Sequence, residues 1–267
     1  MIESWRDLVL APGGARGEAP PPPVARALNS FFALLVLIGV VWFSLASLTL
    51  DWMSVWQYRL VLWRGWLTTL EVIVCALVLS TLLGFILSLF QRSYFLPVRY
   101  LARFLVETIR CIPLLALIYL VWYGIEGAMR IGNEYRLVSG ILILTLFEGA
   151  YISEIFRAGI ESVGKSQLES ARAIGFTRTQ TYRYVIIPQA FRQVLPPLVG
   201  QLVSLIKDSS LLSVIAITEF TESAQQVSSI NYDNLETYFA LAVGYLVLTV
   251  PISLWSRWLE RRFKYET

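Results

Sequence analysis

Three apolar runs of 19 or 20 residues, none with a charged side chain, constrain this chain more than any other feature of its sequence. They are residues 31–50, 72–90 and 237–256. An uncharged apolar run of about 18 residues or more is long enough to cross a bilayer as a helix. The composition agrees, since 56% of the residues are hydrophobic and 15% are charged, whereas soluble domains are about a quarter charged. The sequence therefore predicts an all-α integral membrane protein.

Three more runs are apolar but interrupted by charges, and they cover residues 101–125, 137–156 and 194–217. Each is long enough to span at about 1.5 Å per residue. The interrupting side chains are Arg103, Glu107, Arg110, Glu148, Glu154, Lys207 and Asp208. We therefore expect six transmembrane helices.

The first 30 residues differ in composition from the rest. Residues 11–25 read APGGARGEAPPPPVA, and a segment of this kind buries too little apolar surface to fold. We expect residues 1–30 to be a disordered Pro-rich cytoplasmic tail. The run at 31–50 is too long for the apolar part of a signal peptide, so it is predicted to be an extra N-terminal transmembrane helix.

The distribution of Lys and Arg predicts the orientation. The N-terminal tail, the loops after spans 2 and 4, and the C-terminus together hold 16 basic residues, against four in the loops on the opposite side. Because basic loops stay in the cytoplasm, both termini are predicted to be cytoplasmic. The loop between spans 5 and 6 is then external and acidic, with Glu219, Glu222, Asp233 and Glu236.

Several classes of site are excluded by composition. There is no histidine, which removes Ser-His-Asp and Cys-His nucleophiles and histidine-bound zinc or haem. The two cysteines, Cys75 and Cys111, lie in apolar runs and cannot form a metal cluster alone, so no metal site is predicted. The basic residues are scattered, which argues against nucleic acid as a partner.

Residues 159–166, GIESVGKS, match the phosphate-binding pattern GxxxxGK[ST]. That pattern needs a preceding β-strand, whereas this one follows a predicted membrane helix, and Glu161 would lie among the phosphate ligands. We interpret it as a chance match and expect no ATP site in this chain.

The loop between spans 4 and 5, residues 161–188, is the most informative segment. Residues 168–174 are helical in character, Gly175 can end that helix in the left-handed conformation, Thr177 can cap a second helix, and Pro188 is expected to limit it. The loop is predicted to be a cytoplasmic helix-turn-helix. Its apolar residues alternate with arginines, which suits either a groove on a partner protein or an anionic lipid surface.

Here the sequence resembles a known family. The segment Glu169-Ser170-Ala171 is separated by three residues from Gly175, which is separated by nine residues from 185–188 (VIIP). This spacing resembles the EAA loop of the membrane subunits of ABC importers. The resemblance implies that Glu169, Ser170, Ala171, Gly175 and Pro188 couple the chain to an ATPase.

Three further segments are similar to motifs of polar amino-acid permeases: 107–115 (ETIRCIPLL), 150–160 (AYISEIFRAGI) and 204–211 (SLIKDSSL). The match covers about residues 65–260, with two departures. Cys111 and Ile112 stand where the family has Gly and Thr, and the Pro-rich tail and the helix at 31–50 lie outside the five-helix core, as an extra module. The match implies a five-helix permease core at 65–260 that carries a polar amino acid, or a close derivative, across the bacterial inner membrane. The resemblance also implies partners. These are ABC ATPase subunits that bind ATP and Mg²⁺, a second permease subunit, an extracytoplasmic substrate-binding protein and membrane lipid.

The intramembrane charges are candidates for the substrate pathway, since a charge at the bilayer centre costs roughly 2.5–3.5 kcal/mol and survives in a cavity or a bundle interior. We assign Lys207, Asp208, Ser209 and Glu148 to the pathway, with mutual neutralisation of Lys207 and Asp208 as the open alternative. Two i,i+3 combinations are predicted to be structural ion pairs: Glu107 with Arg110, and Glu154 with Arg157.

An alternative function is an ion-gradient-driven secondary transporter or channel for small polar solutes. It would explain the intramembrane charges but not the spacing of the EAA loop. A membrane-embedded enzyme is disfavoured because the sequence offers no nucleophile and base in a suitable arrangement.

Overall fold

The computed structural model describes residues 31–36, 38–40, 51–130 and 132–263. The chain forms two units, residues 1–51 and 52–267. Within the first unit, residues 31–36 and 38–40 are helical and exposed. The predicted tail, and the remainder of the predicted first span, lie outside the described residues.

All regular secondary structure in the described part of the second unit is helical. Its helices are α1 (Trp52–Gln57), α2 (Arg59–Gln91), α3 (Leu96–Cys111), α4 (Leu114–Met129), α5 (Arg136–Glu161), α6 (Lys165–Ala173), α7 (Arg178–Thr181), α8 (Ile187–Asp208), α9 (Phe220–Asn231) and α10 (Asn234–Phe263). A π-helical segment, Tyr182–Ile186, joins α7 to α8, and a 3₁₀ segment, Ser209–Ile215, extends α8.

Four helical stretches in the described residues are long and apolar enough to cross a membrane: Arg59–Gln91, Asn133–Glu161, Arg178–Ile215 and Asn234–Phe263. A fifth span arises if α3 and α4 count together, although their axes differ by 107°. The expected span at 101–125 therefore consists of parts of two helices and is not one continuous helix. Ile112 is extended (φ −90°, ψ 129°), as expected for the residue before Pro113, and the chain turns there.

The helix boundaries also correct the prediction for Pro188. The helical backbone continues from Arg178 to Ile215, so Pro188 does not end it but lies at the start of α8, directly after the π-helical segment Tyr182–Ile186. The missing N–H of proline removes one hydrogen bond from this continuous helix. The preceding π-helical segment gives the chain a wider turn at this junction.

The core lies where α2 and α5 pack along each other, with α4, α8 and the 3₁₀ segment against them. α10 packs on α8, and α9 lies across α2 and α10. The chain direction therefore places α6 and α7, which form a helix-turn-helix at 165–181 (the finger), at one end of the bundle, the finger end. It places α9 at the other end, the α9 end.

Candidate coupling finger and transport pathway

The turn between α6 and α7 is built by Gly175. Its φ is +83°, a conformation that glycine adopts without steric cost. The Gly175 N–H donates to the Arg172 carbonyl and the Phe176 N–H to the Ala171 carbonyl, both at 3.0 Å. This is the Schellman arrangement for ending a helix, so the predicted stop at Gly175 is confirmed.

The second helix of the finger begins with the cap expected at Thr177. The Gln180 N–H donates to Thr177 Oγ1 at 3.3 Å, and the Thr177 N–H donates to Gln180 Oε1 at 2.8 Å. This capping box and the Gly175 turn fix the angle between α6 and α7. The helix-turn-helix of the finger is therefore encoded locally.

The finger is attached to the bundle by a small apolar cluster. Val163, Ile186 and Ala190 are buried, and Leu168 and Tyr182 pack on them. Of the predicted coupling residues, Ala171 is 3% exposed, whereas Glu169, Ser170, Gly175 and Pro188 are exposed. Two of these, Glu169 and Ser170, lie on α6, so a partner can reach them.

The phosphate-loop pattern at 159–166 is divided between two helices. Gly159 lies within α5 and Gly164 caps α6. No strand is present in the part of the chain that the structure describes, which agrees with a chance match.

A buried polar group lies between α5 and α8. Glu148 is 0% exposed and accepts a hydrogen bond at 2.7 Å from Gln201 Nε2. The Asp208 carboxyl group lies against that of Glu148, and Glu148 Oε1 accepts no hydrogen bond from a described residue. The structure thus brings together Glu148 and Asp208, 60 residues apart in the sequence, with Gln201 as a member that the sequence analysis missed.

Lys207 differs from Asp208 and Ser209 in its exposure, although its charge acts on the Asp208 carboxyl group. Its side chain is exposed, whereas Asp208 is half-buried and Ser209 is buried. Among the described residues, no carboxylate forms an ion pair with Lys207.

The backbone changes from α-helix to 3₁₀ helix directly after Asp208, and serines accompany the change. Ser209 donates to the Ile206 carbonyl at 2.8 Å, Ser210 to that of Lys207 at 2.6 Å, and Ser213 to that of Ser210 at 2.8 Å. These bonds are added to the backbone hydrogen bonds of the helix, as serine hydroxyl groups within a helix commonly do. The change of helix type places Lys207 and Asp208 in the last turn of α8.

A cavity of about 460 Å³ opens beside this group. Its polar lining residues include Arg110, Tyr151, Glu154, Gln193 and Gln201. Gln201 faces the cavity and also holds Glu148, so Glu148 lies one layer behind the cavity wall.

The two predicted ion pairs belong to one larger set of contacts among six charged residues, which we call the ion chain. Arg110 lies 3.4 Å from Glu107 and 3.7 Å from Glu154, and Arg157 lies 2.7 Å from Glu154. Arg157 is also 2.6 Å from Glu161, which lies 3.8 Å from Arg92. The ion chain therefore ties α2, α3 and α5 together at the finger end.

At the α9 end, the helices are joined by hydrogen bonds to one buried glutamate. Glu219 was expected in an external loop, but it is 0% exposed. Its carboxylate accepts hydrogen bonds from the Glu222 N–H at 2.9 Å, Tyr245 Oη at 3.1 Å and Thr69 Oγ1 at 3.3 Å. Burial raises the pKa of the Glu219 carboxyl group above its usual value, against the opposing effect of these donors. Glu219 thus caps α9 and joins it to α2 and α10.

The backbones of α2 and α9 also approach each other closely beside Glu219. A Cβ on Gly65 would lie 2.7 Å from the Ser223 Cβ and 2.9 Å from the Glu219 carbonyl oxygen. The absence of a side chain at Gly65 therefore lets α9 rest on the backbone of α2.

The comparisons with known proteins agree with this architecture. Residues 80–265 match the family described as "Binding-protein-dependent transport system inner membrane component". The probable glutamine ABC transporter permease protein GlnM of Bacillus subtilis is 38% identical over 200 residues, which are 75% of this chain and 92% of that protein. The glutamate/aspartate import permease protein GltK of Escherichia coli O157:H7 is 33% identical over 218 residues, 79% of this chain and 97% of that protein.

Solved structures share the fold. The crystal structure of an amino acid ABC transporter with histidines has a chain that superposes with a TM-score of 0.75 at 32% identity, covering 80% of this chain and all of that one. The methionine ABC transporter MetNI, in an inward-facing form, gives a TM-score of 0.61 at 19% identity, covering 77% and 97%. This chain is therefore a member of the binding-protein-dependent transport system inner membrane components, the permease subunits of ABC importers, which are transport components and not enzymes.

Proposed function

We propose that this protein carries a polar amino acid, or a close derivative, across the bacterial inner membrane, driven by ATP hydrolysis in a separate subunit. The observation that carries the proposal is the finger, whose locally fixed turn presents Glu169 and Ser170 at one end of the bundle. The names of the relatives, which are glutamine and glutamate/aspartate permeases, support an amino acid as cargo.

In this proposal the finger end is cytoplasmic, as are both termini, in line with the excess of basic residues on that side. α6 enters a groove of the ATPase, with Glu169 as its polar contact, Ser170 and Ala171 giving it close approach, and Gly175 and Pro188 fixing its angle to α8. ATP and Mg²⁺ bind to that partner. A second permease subunit completes the pathway, lipid surrounds the spans, and a substrate-binding protein delivers cargo at the α9 end.

The substrate pathway runs past the end of α8. Lys207 offers an exposed ammonium to the carboxylate of an amino acid, while the carboxyl groups of Asp208 and Glu148 offer oxygens to its ammonium. Ser209 supports the turn that positions both. The ion chain, including Glu107, Arg110, Glu154 and Arg157, acts structurally at the cytoplasmic end of this pathway.

The direct test is affinity purification of the tagged protein in mild detergent, followed by mass spectrometry of what is retained. We expect a stoichiometric ABC ATPase with the wild type and its loss from a Glu169→Lys, Gly175→Pro double variant. Glu134→Lys, an exposed charge reversal at the α9 end, is the matched control and should retain the ATPase. If wild type retains no ATPase, the gradient-driven alternative becomes the better account.

A further inference from the structure

A second cavity, of about 450 Å³, lies beneath the finger. It is lined by Tyr94, Leu168, Arg172, Phe176, Arg178, Thr181 and Tyr182. Two guanidinium groups face it and no carboxylate does. Neither Arg172 nor Arg178 forms an ion pair with any residue in the described ranges.

The two arginines lie on opposite sides of the rigid Gly175 turn. Arg172 is in the last turn of α6 and Arg178 is the first residue of α7. Arg178 donates a hydrogen bond to the Tyr94 hydroxyl group and stacks over the Tyr94 ring, with 5.0 Å between its Cζ and the ring centroid. One guanidinium group is therefore held in place against the turn between α2 and α3.

Two guanidinium groups without a carboxylate, one of them held in place by Tyr94, match the charge of a phosphate group, which arginine binds through paired N–H donors. Leu168, Phe176 and the rings of Tyr94 and Tyr182 supply the apolar part of the lining, which suits a ligand that is itself amphipathic, and Thr181 adds a hydroxyl group.

The cavity lies at the depth of lipid headgroups. Tyr94 is three residues beyond the end of α2, a 33-residue helix that is about 50 Å long at 1.5 Å per residue, enough for a bilayer with its headgroup layers. Phe95, Tyr184 and Phe191, near the cavity in the sequence, are 61–64% exposed, as is typical of aromatic side chains at a membrane interface.

We propose that this cavity binds the phosphate group of an anionic phospholipid, which braces the finger against the turn between α2 and α3. The inference goes beyond the proposed transport function and does not depend on the identity of the cargo. It predicts that the position of the finger relative to the turn between α2 and α3 changes with the lipid composition of the inner leaflet.

The test uses the transporter purified with its partner subunits and native mass spectrometry after addition of phosphatidylglycerol, phosphatidylcholine or inorganic phosphate. The wild type should retain phosphatidylglycerol in preference to phosphatidylcholine. In an Arg172→Gln, Arg178→Gln double variant the retained phosphatidylglycerol should fall about tenfold or more, from the loss of two basic contacts. Arg183→Gln is the matched control, because Arg183 is on the same segment, stacks on Tyr184 and does not line the cavity.

A second variant guards against misfolding of the first. Tyr94→Leu keeps both charges but removes the group that orients Arg178, and it should bind phosphatidylglycerol at an intermediate level. Equal retention by wild type and the double variant would overturn the proposal. Displacement of the lipid by inorganic phosphate at millimolar concentration would assign the cavity to a free anion. Loss of the ATPase with unchanged lipid would assign the two arginines to the partner protein.

Discussion

The two ends of the helical bundle place glutamate in opposite surroundings. At the α9 end, Glu219 is fully buried and its hydrogen bonds come from neutral donors. At the finger end, the Glu154 and Glu161 side chains are 22% and 46% exposed and both contact Arg157. The first arrangement depends on a few bonds that water cannot replace, whereas the second is a set of exchangeable, screened ion pairs.

This difference indicates how the ends can serve transport. Removing a buried acceptor leaves buried donors unpaired, so the α9 end has essentially one low-energy arrangement. Partly exposed ion pairs contribute about 0.2–1 kcal/mol each, so the finger end can exchange partners at small cost. We infer that the α9 end is the fixed joint and that the finger end is where the helices rearrange.

The largest effect is expected from Glu219→Ala. The change leaves the Glu222 N–H without its acceptor and opens a cavity where α2, α9 and α10 meet, for a loss of about 3 kcal/mol in the free energy of unfolding. Thermal unfolding in detergent, monitored by size-exclusion chromatography, measures this loss of stability. Arg157→Ala at the finger end is the counterpart, and a loss as large as that of Glu219→Ala would contradict the comparison.

Glycine substitutions sharpen the same contrast. Gly65→Ala places a Cβ against Ser223 and the Glu219 carbonyl group, so α9 must shift, at a cost of about 1–3 kcal/mol. At Gly175 there is no atom within 4 Å of an added Cβ, and Gly175→Ala costs only the left-handed backbone conformation, about 1 kcal/mol. Melting temperatures of the two variants should rank in that order. The reverse ranking would mean that α9 is not seated on α2.

The pH dependence of stability should follow Glu219. Because burial raises its pKa in the folded state, the folded protein binds this proton more tightly than the unfolded chain does. The resulting stabilisation is complete below the ordinary glutamate pKa of 4.5 and is lost as the pH rises above it. Wild type should therefore lose stability relative to Glu219→Gln between pH 4.5 and neutrality. Parallel melting curves for the two proteins across this range would refute the buried position of the carboxyl group.

The smallest effect is expected at the ion chain. Glu161→Gln weakens the contacts to Arg157 and Arg92 at partly exposed positions, so the loss should be within about 0.2–1 kcal/mol. Raising the salt concentration should diminish it further, because exposed charges are screened. Melting temperatures in low and high salt give both values. A salt-independent loss would place these charges in a drier environment than their exposure indicates.

Local sequence signals predicted part of this molecule well. The apolar runs located the spans at 72–90, 137–156, 194–217 and 237–256, and Gly175 and Thr177 located the turn of the finger, because each depends on residues close in sequence. The early start of α2 at Arg59 escaped prediction, since Arg59 and Arg64 interrupt the apolar pattern although both lie within the helix. The count of six spans is not reproduced either, because α3 and α4 diverge at Pro113 and most of 31–50 lies outside the described residues.

Contacts between distant segments were beyond the sequence signals. Gln201 lies in the apolar run at 194–217 and was not singled out from the sequence, because only the packing of α5 against α8 places it on Glu148. Tyr94 and Arg178 are 84 residues apart. Glu219 was assigned to an external acidic loop because α9 was not predicted, and the one available signal was a carboxylate at the N-cap position of a short amphipathic segment.

The most direct test of the account is uptake of radiolabelled glutamine, glutamate and arginine into proteoliposomes that contain this protein, its ATPase and its binding protein. The account predicts uptake of at least one amino acid. This uptake should require ATP on the side of the membrane where the ATPase is bound, and it should persist when proton and sodium gradients are dissipated. The account also predicts that Lys207→Gln lowers uptake while the ATPase remains bound. Uptake that follows an imposed ion gradient and ignores ATP would contradict it.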